Sequence, residues 1–226
     1  MVCFRLILLS LLSPVAWAQI ENLKEIVNFL QTSYGDGGQF AVAINVPAEK
    51  CSAGVHPDQN FLPNDNAQNA KASMNSPQRV YRGQELIGAK PKPIPNTISN
   101  YHSEYLLLIL SDPPNQSPND PLMQKLLNRD PNGCVIFYTF NSPCVRSCST
   151  PTNRYSIIPA LDGIKNHKGA KAFVFGQVWK HDENKAQWEM NMKEINIKVP
   201  LYRCDNAGCT RCVDNNNVVQ AQCKAS

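Results

Sequence analysis

Two short segments restrict this chain more than anything else in it. They are His102-Ser103-Glu104 and, further along, Ser142-Pro143-Cys144-Val145-Arg146-Ser147-Cys148. One imidazole and two thiolates make three ligands of a tetrahedral zinc, leaving the fourth position to a water whose pKa the metal lowers toward ~7. Both segments must then meet at one point of the fold. Glu104, two residues past the histidine, can reach such a water, take its proton and hand it to a leaving amine.

Helix geometry gives the spacing a physical reading. Cys144 and Cys148 are four apart and on a helix share one face, and Pro143 is the residue type favoured at a first helical position. A thiol in a first helical turn also ionises more readily, which zinc requires. The plainer use of these residues is a pair of disulfide cysteines beside a surface histidine. Against it stands the conjunction of H-x-E with S-P-C-x3-C after an apolar strand, which is narrower than either motif alone.

These residues resemble the AID/APOBEC-like polynucleotide cytidine deaminases, whose signature is H-x-E followed by P-C-x(2 to 4)-C. With the export signal described below, the chain is most similar to the secreted branch of that family, over roughly residues 20–198. It departs from the pattern in its cysteine spacing of three, in the long interval from Glu104 to Pro143, and in Asn141, which stands where a tryptophan usually precedes Ser-Pro-Cys. The resemblance implies a zinc ion on His102, Cys144 and Cys148, with Glu104 as proton carrier. It implies conversion of cytidine to uridine in single-stranded DNA or RNA, in a setting of defence against foreign nucleic acid. It further implies that Asn45, at the end of the first strand, meets the sugar, and that Lys180 and His181 fall in the loop that chooses the neighbouring nucleotide.

Residues 1–18 carry Arg5, an apolar run from Leu6 to Leu12, and Ala16-Trp17-Ala18 before Gln19, the pattern of a cleaved signal peptide. The run is too short for a stable membrane anchor, and no later stretch is long and apolar enough to span a bilayer. A secreted chain with no membrane anchor is therefore expected, and nothing in the sequence sets its oligomeric state. Of nine cysteines, eight remain once Cys3 leaves with the leader. Residues 19–198 read as one deaminase-like catalytic domain and 199–226 as a cysteine-rich tail. A formal charge of +4 permits binding to a polyanion without demanding it.

Periodicity places a helix over 21–34 and a strand over 39–46 that is apolar on both faces. Residues 47–78 read as a long loop containing His56, with Cys51 able to tie down its beginning. A strand or hairpin bending at Gly83 spans 79–89, and a basic, proline-held connection covers 90–95. A buried helix over 102–111 follows, with Ser99 or Asn100 as cap, then a proline-rich loop holding the sequon Asn115-Gln116-Ser117. Further elements are a helix over 121–129, a strand over 133–140, a helix over 154–167, a strand over 172–179 and a helix over 183–195. The order implies an α/β fold: a cytidine-deaminase-like α/β/α sandwich with a mixed sheet of about five strands, and a disulfide-rich C-terminal tail.

With Cys144 and Cys148 set aside for metal, Cys51, Cys134, Cys204, Cys209, Cys212 and Cys223 remain as disulfide candidates, in any of 15 pairings. Cys209-x-x-Cys212 could instead belong to a second, structural zinc site; an oxidising compartment favours bridges. A base-binding pocket needs a ring to stack on, and Tyr101, Phe140 and Trp179 flank the motifs. Two alternatives to a polynucleotide deaminase stay open: a non-catalytic secreted binding module that retains the fold, and a free-nucleoside deaminase. Glu104 favours an enzyme, since a module without chemistry has no use for it.

Overall fold

The computed structural model describes residues 19–113 and 121–224. The apolar leader and the Asn115-Gln116-Ser117 sequon lie outside the described residues. The stripe Leu23, Ile26, Val27 and Leu30 forms helix α1 (Leu23–Tyr34) and is buried throughout. Next comes β1 (Ala41–Val46), buried at every residue, as a strand covered on both faces must be. Val42, Ile44 and Val46 pack with α1, while Ala41 and Ala43 face the opposite layer.

The stretch expected as one long loop carries order of its own. Ala48–Cys51 is a 3-10 turn, and α2 (Ala67–Asn75) is capped by Asn66, whose side chain accepts from the N–H groups of Gln68 and Asn69. Only Ala70 and Met74 of α2 are buried, too thin a period to read. The anticipated hairpin forms from β2 (Val80–Arg82) and β3 (Leu86–Ala89). Its turn is built on buried Asp65, whose carboxylate accepts from the N–H groups of Gln84, Glu85 and Leu86 and from the Tyr81 hydroxyl. A Cβ on Gly83 would meet that carboxylate at 1.7 Å, so the turn requires glycine there.

A small hairpin, β4 (Lys92–Pro93) with β5 (Asn100–Tyr101), leads into α3 (Ser103–Leu108). This helix is shorter than expected, and its N-cap is His102 rather than Ser99 or Asn100, since Asn100 is already paired in β5. Helix α4 (Leu122–Arg129) and β6 (Cys134–Asn141) follow as anticipated. The helix expected over 154–167 shrinks to a 3-10 turn at Pro159–Leu161 and α5 (Asp162–Asn166). Asn153 accepts from the Tyr155 N–H and Ser156 from the Ile158 N–H, so side chains hold the first residues in turns instead. Then come β7 (Lys171–Gln177) and α6 (Ala186–Lys198). The cysteine-rich end supplies β8 (Leu201–Asp205), β9 (Gly208–Arg211) and α7 (Ala221–Lys224).

One mixed sheet runs in the order β2-β3-β1-β6-β7-β8-β9. β1 is antiparallel to β3 and β6; β6, β7 and β8 are parallel in sequence; β9 returns antiparallel on β8. Helices α1 and α2 cover one face, and α3, α4, α5 and α6 the other, giving the α/β/α sandwich. The sheet holds seven strands rather than about five, because the 79–89 stretch supplies both β2 and β3 and the cysteine-rich end adds β8 and β9. Register then sets the site. Ala41 pairs with Thr139 and Asn141 with Gln177, which brings the start of β1 and the carboxyl ends of β6 and β7 to one rim.

Three disulfides form, and they are the six cysteines left over from the metal set. Cys51–Cys134 ties the 3-10 turn to the start of β6, Cys204–Cys209 links facing residues of the β8–β9 hairpin, and Cys212–Cys223 fastens α7. Cys209 and Cys212 are thus bridged to different partners, which removes the second zinc site. Cys144 and Cys148 are free.

Candidate active site

His102 is the N-cap residue of α3 in extended conformation, and its side chain makes no capping bond, so the ring is left for other use. Its Nδ1 lies 3.1 Å from the Cys148 sulfur. Donor atoms of His102, Glu104 and Cys148 all fall within 4.8 Å of one another, a group compatible with a metal ion. Cys144 joins through Ser147, whose Oγ lies 3.0 Å from the Cys144 sulfur and 3.9 Å from that of Cys148. The adjacent Cys148 thiol holds the pKa of Cys144 down to about 5, while that of Cys148 is pushed up by the neighbouring Cys144 and by burial.

The helix expected to begin at Pro143 is absent; residues 145–148 form a turn. Polar side chains capture the backbone groups a helical ladder would use. Buried Asp182 accepts from the Val145 N–H at 2.7 Å, the Ser149 N–H reaches back to the Cys144 carbonyl, and Thr150 Oγ1 donates to the Val145 carbonyl. From α6, Asn191 donates to Ser149 and Thr150, and the Trp188 indole N–H to Ser142. The cysteines are therefore presented by a turn clamped from outside, not by a helix dipole.

Glu104 is 2% exposed. Burial pushes its carboxyl up, opposed by the charge of His102, its own backbone N–H and the Thr139 hydroxyl. Thr139 Oγ1 lies 3.0 Å from one carboxylate oxygen and Ser103 Oγ 3.2 Å from the other. Above them opens a cavity of about 190 Å³ lined by Gln39, Asn100, Asn141, Ser142, Cys144 and Trp179 together with His102 and Glu104. It is smaller than the ~300–1,000 Å³ of drug-sized pockets, a fit for a single ring rather than a whole nucleotide. Trp179 stands edge-on to His102, ring centres 6.3 Å apart, and to exposed His181 at 4.8 Å. Its backbone N–H donates to Ser142, and exposed Lys180 sits beside it.

Other expected contacts go elsewhere. Tyr101 stacks on Tyr105 and meets the edge of Tyr155, walling a separate small hollow behind His102 and Cys148. Phe140 packs into the layer holding Phe40, beside a different hollow, and does not replace the missing tryptophan. Asn45 lies at the opposite end of β1 from the site, where it donates to the carbonyls of Leu126 and Asp130; that corrects its expected role at the sugar. His56 is an exposed loop residue. Conversely, Gln39 and Thr139 carried no motif. Their signal is a polar residue at the end of an otherwise apolar strand, readable only once the register brings those ends together.

The residues present fit a zinc ion. Two thiols stay free in a chain whose other described cysteines are all bridged. The imidazole–sulfur separation of 3.1 Å is a few tenths under the ~3.5 Å between sulfur and nitrogen ligands of a tetrahedral zinc. Glu104 has both oxygens engaged by hydroxyls, which suits a proton carrier more than a ligand.

Comparison with known proteins agrees with this geometry. The chain matches no curated protein and no solved structure at a significant level. A family model described as Secreted Novel AID/APOBEC-like Deaminase 1 matches residues 20–226, past the end of the stretch the motifs alone cover. The disulfides fit the secreted description, and no described helix is long and apolar enough to cross a membrane. The match takes in the whole sheet with the clustered His102, Glu104 and Cys148, and the chain belongs to the Secreted Novel AID/APOBEC-like Deaminase 1 family.

Proposed function

We propose that this protein is a secreted, zinc-dependent cytidine deaminase that converts cytosine to uracil in single-stranded nucleic acid. One observation carries the reading: a buried carboxylate, Glu104, at the floor of a ring-sized cavity beside a histidine and two unbridged cysteines. His102, Cys144 and Cys148 would hold the zinc. Bound there, zinc supplies a Lewis acid that lowers the pKa of water toward ~7. Glu104 takes a proton from the attacking water and delivers it to N3 as the C4–O bond forms, then carries that oxygen's second proton to the amine, so that the C4–N bond breaks and ammonia leaves.

Support for a polymer over a free nucleoside comes from the rim. The cavity takes one ring; Trp179 lines it and exposed His181 stands edge-on to Trp179, rings on which flanking bases can stack. The formal charge of +4 and the exposed Lys180 agree with a polyanionic partner. The test is a side-by-side assay of the zinc-loaded chain, after removal of residues 1–18, on cytosine-containing single-stranded DNA, RNA and free cytidine. Uracil in the oligonucleotides supports the reading. Uridine from free cytidine alone would make the protein a nucleoside deaminase, and no product from any substrate would leave a binding module.

A further inference from the structure

We propose that Gln39 is a positioning residue for Glu104, whose amide compels two neighbouring hydroxyls to donate, one to each oxygen of the carboxylate. The inference deepens the reading of Glu104 as proton carrier and rests on it.

The antiparallel register that sets Ala41 against Thr139 and Phe40 against Phe140 sets Gln39 against Asn141. There the Asn141 N–H donates to Gln39 Oε1 at 3.0 Å. That bond decides the orientation of the amide, because a backbone N–H has no other role than donor. The Nε2 group must then face Ser103 Oγ, at 3.1 Å, and Thr139 Oγ1, at 3.0 Å, and give one hydrogen to each. A hydroxyl that accepts from an amide still has its single hydrogen to place. Ser103 has Glu104 Oε2 at 3.2 Å. Thr139 has Glu104 Oε1 at 3.0 Å and the Asn141 carbonyl at 3.1 Å, and the charged oxygen is the stronger acceptor.

Ser103 and Thr139 are both fully buried, so no bulk water competes for these hydrogens. Three segments thus converge on one carboxylate: the entry to β1, the start of α3 and the end of β6. Remove the Gln39 amide, and each hydroxyl can turn its hydrogen elsewhere, freeing the carboxylate to rotate from the line between water and base. A misplacement of about 1 Å in a reacting group can cost ~10²-fold.

The test uses the zinc-loaded chain with Gln39→Met, similar in length but without the amide, and Thr139→Val and Thr139→Ser. Expected for Gln39→Met and Thr139→Val is a kcat lower by ~10–100-fold, with KM, zinc content and Tm close to wild type. Thr139→Ser regains most of the loss, and in a Glu104→Gln background neither substitution lowers the rate further. A second readout does not use activity: by NMR the side-chain amide protons of Gln39 exchange slowly with solvent, and Thr139→Val releases them. Unchanged kcat, a rise confined to KM, or a Gln39 amide exchanging as fast as surface glutamines overturns the proposal while the deaminase reading stands. A wild-type protein without activity on any substrate overturns both. Should Gln39→Met fail to fold, the Thr139 pair and the amide exchange decide.

Discussion

In the proposed zinc site Cys144 is the ligand that lines the cavity, beside the Cys148 thiol. Replacing it with serine removes a thiolate ligand but leaves the turn clamped by Asp182 and Asn191. Cys144→Ser is therefore expected to lower zinc from about one per chain to near none by elemental analysis, with the circular dichroism spectrum unchanged. Full zinc content in that variant would remove Cys144 from the site. At this scale the sequence was readable where chemistry forces residue types into short spacings. His102, Glu104, Cys144 and Cys148 announce themselves, and Trp179, sought as a ring for a base to stack on, lines the same cavity. Gln39 and Thr139 are ordinary residues made important by strand register, and no spacing reveals that. Asn45 shows the reverse error: the end of a strand was read correctly, but it is the wrong end of the sheet.

Two polar side chains organise elements that apolar periodicity does not explain. Asp182 holds the cysteine turn through the Val145 N–H and is tied in turn by Lys185. Outer partners of metal ligands commonly contribute ~10–100-fold in metal affinity. Asp182→Ala is expected to weaken zinc binding by about that factor, measured by competition with a chelator, without lowering the number of sites. Asp65 does the same for the β2–β3 turn, where three backbone N–H groups and a tyrosine share one carboxylate. Asp65→Ala leaves those donors orphaned and should cost about 3–5 kcal/mol by urea denaturation; a loss under about 1 kcal/mol would contradict the role given to it. The same feature explains which elements were legible. Apolar stripes disclosed α1, β1, β6 and β7, whose cores are dense. The missed α2 has two buried anchors, and the helices wrongly drawn from Cys144 and Arg154 are places where Asp, Ser, Thr and Asn side chains capture the backbone.

For the whole molecule, the cysteine ledger separates scaffold from site. Reduction should raise the intact mass by six hydrogens, from three disulfides, and labelling in denaturant after zinc removal should find two free thiols, Cys144 and Cys148. A mass showing those two bonded to each other in native protein would contradict this. Cys51–Cys134 closes the longest loop, 83 residues apart, and its loss should cost toward the upper end of the ~2–5 kcal/mol usual for a native disulfide. Its sheet was legible as an alternation of strands and helices, yet β8 and β9 were not, because a short strand with one disulfide across it shows little apolar period. Sheet register and the cysteine turn meet at the rim where Glu104 lies, and the proposed role of Glu104 is to move protons there. The most direct measurement compares zinc-loaded wild type with Glu104→Gln on a cytosine-containing single-stranded oligonucleotide, reading uracil by mass spectrometry. The expected result is uracil from wild type and a loss of ~10⁴-fold or more in the variant, with zinc content and Tm equal in both. Equal rates in the two proteins, or no uracil from a folded, zinc-loaded wild type, would contradict the account.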